Sequence, residues 1–214
     1  MCSSDLRGNG NASLSTDRRH AVEVVSHHRL FEQRHHPSES LHPPCKREAV
    51  LAFAQGVKRF GGSMVLLEQP VVRDDLDSMA AIRRETGIPV AADESVRSLG
   101  DAHEVVARGA ADYINIKIMK TGVAEAIEIA SFTKASGLKL MIGGMLETRI
   151  AMGCSFSLVL GLGGFDVLDL DTPLLLVNDP VTGGYRYEDS RLQPWAGPGL
   201  DMTAAPSPDV TTIE

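Results

Sequence analysis

Three charged residues each close a short apolar run: Glu68 in Leu66-Leu67-Glu68-Gln69-Pro70, Asp93 in Val90-Ala91-Ala92-Asp93-Glu94-Ser95, and Lys117 in Tyr113-Ile114-Asn115-Ile116-Lys117. They are separated by 25 and then 24 positions. Two carboxylates offer the hard oxygen donors that suit Mg²⁺, an ion that keeps waters and leaves room for substrate oxygens. A lysine beside them can serve as a base if a cation and partial burial lower its pKa. Other readings stay open at this stage. Either acid can cap the next helix or pair with Arg73 or Arg97, and Lys117 can reach solvent or simply neutralise the acids. Glu94 faces away from Asp93 on an extended strand, and Lys120 reads as a loop lysine exposed to water.

Further along, Asp169-Leu170-Asp171 places two acids on one side of an extended strand, where they can hold a substrate ammonium, a second cation or a helix end. Gly143-Gly144-Met145-Leu146-Glu147 is a glycine-rich turn whose backbone can approach a ligand, with Met145 and Glu147 beside it.

The elements that must position these groups repeat at one period. Helical spacing is read in Ala49, Val50, Phe53, Val57 and Phe60, with Gly61-Gly62 as the stop. Met64–Leu67 then reads as a strand, and Asp74-Asp75 opens a helix with Leu76, Met79, Ala80 and Ile82 inward. Ile88–Ala92 is a strand. Ser98-x-x-Asp101 has the spacing of a capping box before Ala102–Arg108, and Asp112–Ile116 is a strand again. Thr121 caps a helix carrying Val123, Ala126, Ile127, Ala130 and Phe132. Strand Leu138–Ile142, a helix from about Arg149 to Leu160 and strand Val167–Leu170 complete the series. Strand ends recurring about every 25 residues predict consecutive βα units of an α/β fold, a partial (β/α) barrel with its chemistry at the C-terminal strand ends. An open doubly wound sheet would gather fewer of those ends around one pocket.

The sequence has 214 residues, whereas a full barrel typically takes about 250. A net charge of −7 argues against a partner bound through a broad basic surface, nucleic acid above all. No apolar run approaches a membrane span, so a cytoplasmic setting is expected. Cys2, Cys45 and Cys154 are scattered and indicate neither a disulfide framework nor a zinc ribbon. Residues 1–45 stand apart as a His-rich segment holding six of the seven histidines. His27-His28 and His35-His36 lack the spacing that puts two imidazoles on one helical face. This segment reads as poorly structured or foreign to the barrel portion at 46–202, and residues 203–214 read as a frayed tail.

Taken together, Leu67-Glu68-Gln69-Pro70, Ala92-Asp93-Glu94-Ser95, Ile114-Asn115-Ile116-Lys117-Ile118-Met119-Lys120, Gly143-Gly144-Met145-Leu146-Glu147-Thr148 and Asp169-Leu170-Asp171-Thr172-Pro173 resemble the enolase superfamily, in its muconate-lactonizing-enzyme subgroup. The Asp-x-Asp pair looks most like the dipeptide epimerases, L-Ala-D/L-Glu epimerase among them. The resemblance covers about residues 46–202, the last five or so βα units of the family's C-terminal barrel domain. It implies that Glu68 and Asp93 are two of three Mg²⁺ ligands and that Lys117 is one of two catalytic lysines. It further implies that Asp169 and Asp171, with Met145 and Glu147, contact a small dipeptide substrate. The implied reaction is proton abstraction α to a carboxylate through an enediolate. Cycloisomerisation or o-succinylbenzoate synthesis within the same superfamily, or a non-catalytic metal-binding role, are the alternatives. The family's Lys-x-Lys motif is absent, and the window for its third ligand offers Glu39 and no aspartate. Impaired epimerisation by this chain is therefore expected. Homo-oligomer formation stays open.

Overall fold

The structure, a computed structural model, describes the backbone of Val22 and Glu23 and residues 46–205 except 190, 196, 198 and 199. The His-rich tract, Glu39 and residues 206–214 lie outside the described residues. Five strands run in parallel and in sequence order, β2 (Leu67–Glu68), β3 (Val90–Ala92), β4 (Tyr113–Ile116), β5 (Lys139–Gly143) and β6 (Phe165–Asp169). Helices α2 (Leu76–Thr86), α3 (Leu99–Ala107), α4 (Ile118–Ala135) and α5 (Arg149–Leu162) connect them, and α1 (Arg47–Arg59) precedes them. The strands form a half-barrel of βα units, as the repeat of apolar runs predicts.

Local chemistry sets the boundaries. Asp75 caps α2 by accepting from the Ser78 N–H at 3.0 Å, and Gly87 ends it with φ 66°, a conformation that glycine adopts without a Cβ penalty. Ser98 accepts from the Asp101 N–H at 3.1 Å, while the Asp101 carboxylate accepts from the Arg97 N–H at 2.9 Å. The capping box thus closes on the N–H of the residue before the cap, one residue earlier than its usual pattern.

The strands divide the core. Toward the helices lie Leu67, Val90, Ala92, Ile114, Ile116, Leu140 and Ile142, all nearly inaccessible. The opposite face carries Leu66, Ala91, Tyr113, Met141 and Val167. Register aligns Glu68 with Ala91, Ala91 with Tyr113, Asn115 with Met141, and Gly143 with Asp169. Period-two alternation therefore puts Glu68, Asn115, Gly143 and Asp169 on that same face.

Two helices differ from expectation. In α1 the buried residues are Val50 and Ala54, while Phe53 and Phe60 are exposed. α1 packs on α2, with Arg47 pairing Glu85 across the two, and it is Val50 and Ala54 that reach the core. In α4, Gly122 takes φ 72° and ψ 172°, so the first turn after β4 is separate from the helix proper. The helix proper buries Ala126, Ile129, Ala130 and Thr133 and leaves Val123 and Ile127 exposed.

Beyond β6, a 3₁₀ turn (Thr172–Leu175) leads to short antiparallel strands β7 (Val181–Gly183), β8 (Tyr185–Glu188), β9 (Arg191–Pro194) and β10 (Met202–Ala204). β10 pairs with β7, so ordered chain crosses the boundary suggested at residue 202. β9 pairs with both β8 and β1 (Val22–Glu23). Among the described residues no helix is long and apolar enough to cross a membrane.

Candidate active site

Parallel strands deliver their C-terminal ends to one rim. Glu68 is the last residue of β2, Asp93 and Lys117 directly follow β3 and β4, and Asp169 is the last residue of β6. The rim brings the first three together. Lys117 Nζ donates to Asp93 Oδ2 at 2.5 Å and lies 3.8 Å from Glu68 Oε1. All three side chains are at most 8% exposed. Arg73 reaches Asp74 instead of the site, at 3.3 Å.

Lys120 belongs to this cluster, which corrects its expected place in solvent. Its Nζ donates to the Asp93 carbonyl at 2.5 Å, to Asp93 Oδ1 at 2.7 Å and to the Asn115 carbonyl at 3.1 Å. The tight turn after β4, from Lys117 to Lys120, folds both lysines back over Asp93. Spacing of three residues was the available signal, since one helical turn returns a side chain to the same side.

Asn115 is a second residue that motif reasoning left without a role. Its Nδ2 donates to Glu68 Oε1 at 2.8 Å, spanning from β4 to β2 above the small Ala91. Its Oδ1 is buried without a hydrogen-bond partner. Gly143 provides the room: a Cβ there would lie 3.0 Å from Asn115 Nδ2, 3.1 Å from Oδ1 and 3.1 Å from Lys117 Cε. Standing two residues from Lys117 on one strand, Asn115 was legible as a residue of the same face.

The electrostatics follow from burying like charges together. Glu68 is pushed up to about 7, first by burial and next by the charge of Asp93, with Asp169 adding to it. Burial alone would also raise Asp93, but Lys120 and Lys117 outweigh it and hold that carboxyl below its ordinary value. Lys117 departs from expectation. Burial favours its neutral form, yet Asp93 and then Glu68 outweigh burial and raise it. Lys120 is lowered, because burial exceeds the pull of Asp93 there.

Asp169 and Asp171 diverge. The extended strand ends at Asp169, and Asp171 has helical angles, φ −95° and ψ −4°, at the head of the 3₁₀ turn. The expectation that both point to one side of a strand fails because the strand stops between them. Asp169 is buried and its charge acts on Glu68, whereas the charge of Asp171 acts on Tyr187. Tyr187, which carried no sequence signal, donates its hydroxyl to the Leu170 carbonyl at 2.6 Å and so ties β8 to this junction. Glu147 accepts from the Met145 N–H at 2.9 Å, folding the loop after β5 back on itself with Met145 exposed.

Among the described residues, no group of three or more His, Cys, Asp or Glu is arranged to hold a metal ion. Glu68 and Asp93 nevertheless fit Mg²⁺ as a partial donor set. They are hard oxygen donors brought close in a buried rim, and the raised Glu68 marks negative charge that a cation would relieve.

The fold has counterparts among known proteins. Residues 43–206 match the family described as Enolase C-terminal domain-like. An aromatic dipeptide epimerase of Herpetosiphon aurantiacus is 45% identical over 157 residues, covering 72% of this chain and 44% of that protein. The substrate-liganded L-Ala-D/L-Glu epimerase of Bacillus subtilis superposes with a TM-score of 0.71 at 32% identity, over 75% of this chain and 45% of that one. A dipeptide epimerase of Enterococcus faecalis, complexed with Mg and L-Leu-L-Tyr, superposes with a TM-score of 0.68 at 32% identity, over 73% and 45% of the two chains. The chain spans less than half the length of the relatives it matches.

Proposed function

Because the chain belongs to the Enolase C-terminal domain-like family, we propose that it forms the catalytic rim of a Mg²⁺-dependent dipeptide epimerase, an isomerase. The observation that carries this reading is the buried Lys117–Asp93–Glu68 cluster at the ends of three successive parallel strands. Glu68 and Asp93 would hold the cation. When bound there, Mg²⁺ would offset the carboxylate charges that keep Lys117 protonated and stabilise negative charge developing on a substrate carboxylate.

The chain's own residues supply the rest. Lys117 Nζ, relieved of its proton, accepts the α-proton of the dipeptide's second residue. Asn115 keeps one oxygen of Glu68 occupied and so fixes the carboxylate's direction. Asp169 and Asp171 attract the dipeptide's ammonium group, while Met145 and Glu147 flank the substrate from the loop after β5. This chain carries no Lys-x-Lys motif, so the expected outcome is exchange from one face without efficient inversion. A cytoplasmic setting and a small-molecule substrate, with no nucleic-acid or membrane partner, belong to the same reading.

Incubation with L-Ala-L-Glu and an L-Ala-L-aromatic dipeptide in D₂O with Mg²⁺ tests it. Deuterium at the α-carbon of the second residue is expected, and it should vanish in Lys117→Ala. Absence of deuterium in every dipeptide would overturn activity. Mg²⁺ affinity unchanged in Glu68→Ala would place the ion elsewhere.

A further inference from the structure

Gln69 has φ 38°, a left-handed conformation that a non-glycine residue rarely adopts. Such backbone strain persists where the surroundings over-determine it, and here the surroundings are hydrogen bonds to one loop. Gln69 Oε1 accepts from the N–H of Asp93 at 3.0 Å and of Ser95 at 3.1 Å. Its Nε2 donates to Ser95 Oγ at 2.8 Å and to the Val71 carbonyl at 3.1 Å, and lies 3.4 Å from Met79 Sδ. Ser95 Oγ donates onward to the Arg73 carbonyl at 2.7 Å. The Gln69 N–H donates to the Ala91 carbonyl at 2.9 Å. One side-chain amide thus joins the loop after β2 to the loop after β3. Asp93 is gripped from both sides, its N–H by Gln69 and its carbonyl and carboxylate by Lys120.

We infer that Gln69 is a positioning residue that aims the Asp93 carboxylate at Lys117 and at the cation site by fixing the Asp93 backbone. Glu68, one position earlier, shares the cluster with Asp93, so Gln69 also sets the spacing between the two acids. The cation part rests on the proposed metal site, whereas the Lys117 part stands without it. A simple loop brace would keep the chain folded but leave the Lys117–Asp93 pair indifferent to the side chain at 69.

Two variants of the full chain separate these cases. Gln69→Met keeps the length and removes the hydrogen bonds of the side-chain amide. Gln69→Asn keeps an amide, withdraws it by one methylene and tolerates the left-handed backbone, which secures folding. Both are expected to speed amide exchange at Asp93 and Ser95 by about tenfold and to move the Lys117 ammonium resonance. They should also weaken Mn²⁺ binding, read by water-proton relaxation, by about tenfold or more. Unchanged amide exchange overturns the inference. So does faster exchange with the Lys117 resonance and Mn²⁺ affinity at their unmutated values. If the unmutated chain takes up no Mn²⁺, the metal reading alone fails, and the Lys117 resonance decides the role of Gln69.

Discussion

Lys117 and Asp93 form an ion pair of 2.5 Å in which both side chains are 2% exposed. The two residues leave adjacent parallel strands, so the pair is a product of strand order and of nothing local. Burial makes its loss costly in one direction. Removing a partner leaves a buried charge with less compensation than folding supplied.

Lys117→Met should therefore destabilise the chain by about 3 kcal/mol in urea unfolding with a chelator present. Lys120 continues to hold Asp93 and keeps the loss from growing further. Lys117→Arg should recover part of that stability but none of the α-proton exchange, because a guanidinium does not give up its proton. Recovered exchange in the arginine variant would remove Lys117 as the base.

Gly143→Ala should cost about 1–3 kcal/mol, since its methyl would crowd Asn115 and Lys117 and a packed interior resists added volume. Thermal melting reads the loss. α-Proton exchange should fall more steeply than stability, because the displaced side chains are those of the site. A variant that melts and exchanges like the parent would show that the Asn115 amide is loosely held.

Asp112 links β3 and β4 to α2. Its carboxylate pairs with Arg83 at 2.7 Å and accepts from the Val90 N–H at 3.0 Å. Burial alone raises its pKa, but Arg83 and the Val90 N–H outweigh burial and hold it below the ordinary carboxylate value. A depressed folded-state pKa gives stability that is present above the unfolded-state value and lost as pH falls through the folded one. Asp112→Asn should thus be less stable than the parent by about 1 kcal/mol at pH 7, with the gap closing in acid. An equal gap at pH 7 and pH 3 would exclude a charge effect.

Tyr187→Phe should remove the hydroxyl that holds the Leu170 carbonyl, at a cost of about 1 kcal/mol. Its further effect should fall on Asp171, whose charge lies near that hydroxyl. A raised KM for the dipeptide with kcat little changed is the expected kinetic outcome. An unchanged KM would detach Asp171 from substrate binding.

The repeat of apolar runs made the parallel order of β2 to β6 legible, because each βα unit is encoded within its own 25 or so residues. Strand ends were legible for the same reason, and with them Glu68, Asp93, Lys117 and Asp169. Helix faces were less so. Phe53 and Phe60 satisfy the helical period of α1, but burial depends on which neighbour a helix meets, and the residues of α1 that reach the core are Val50 and Ala54.

By itself, the sequence determined which residues end which strands and what chemistry their types allow. Tertiary structure decided who pairs with whom. Lys120 turns inward because a tight turn returns it over Asp93, Asn115 spans two strands because Ala91 and Gly143 leave it room, and Asp171 parts from Asp169 because the strand stops. Gln69 is the clearest case. No composition or period marks a glutamine as left-handed, since that conformation is held by bonds to Asp93 and Ser95, 24 and 26 residues away. Local spacing encodes elements, whereas a buried charge takes its pKa and its partner from whatever the other strands bring within a few ångströms.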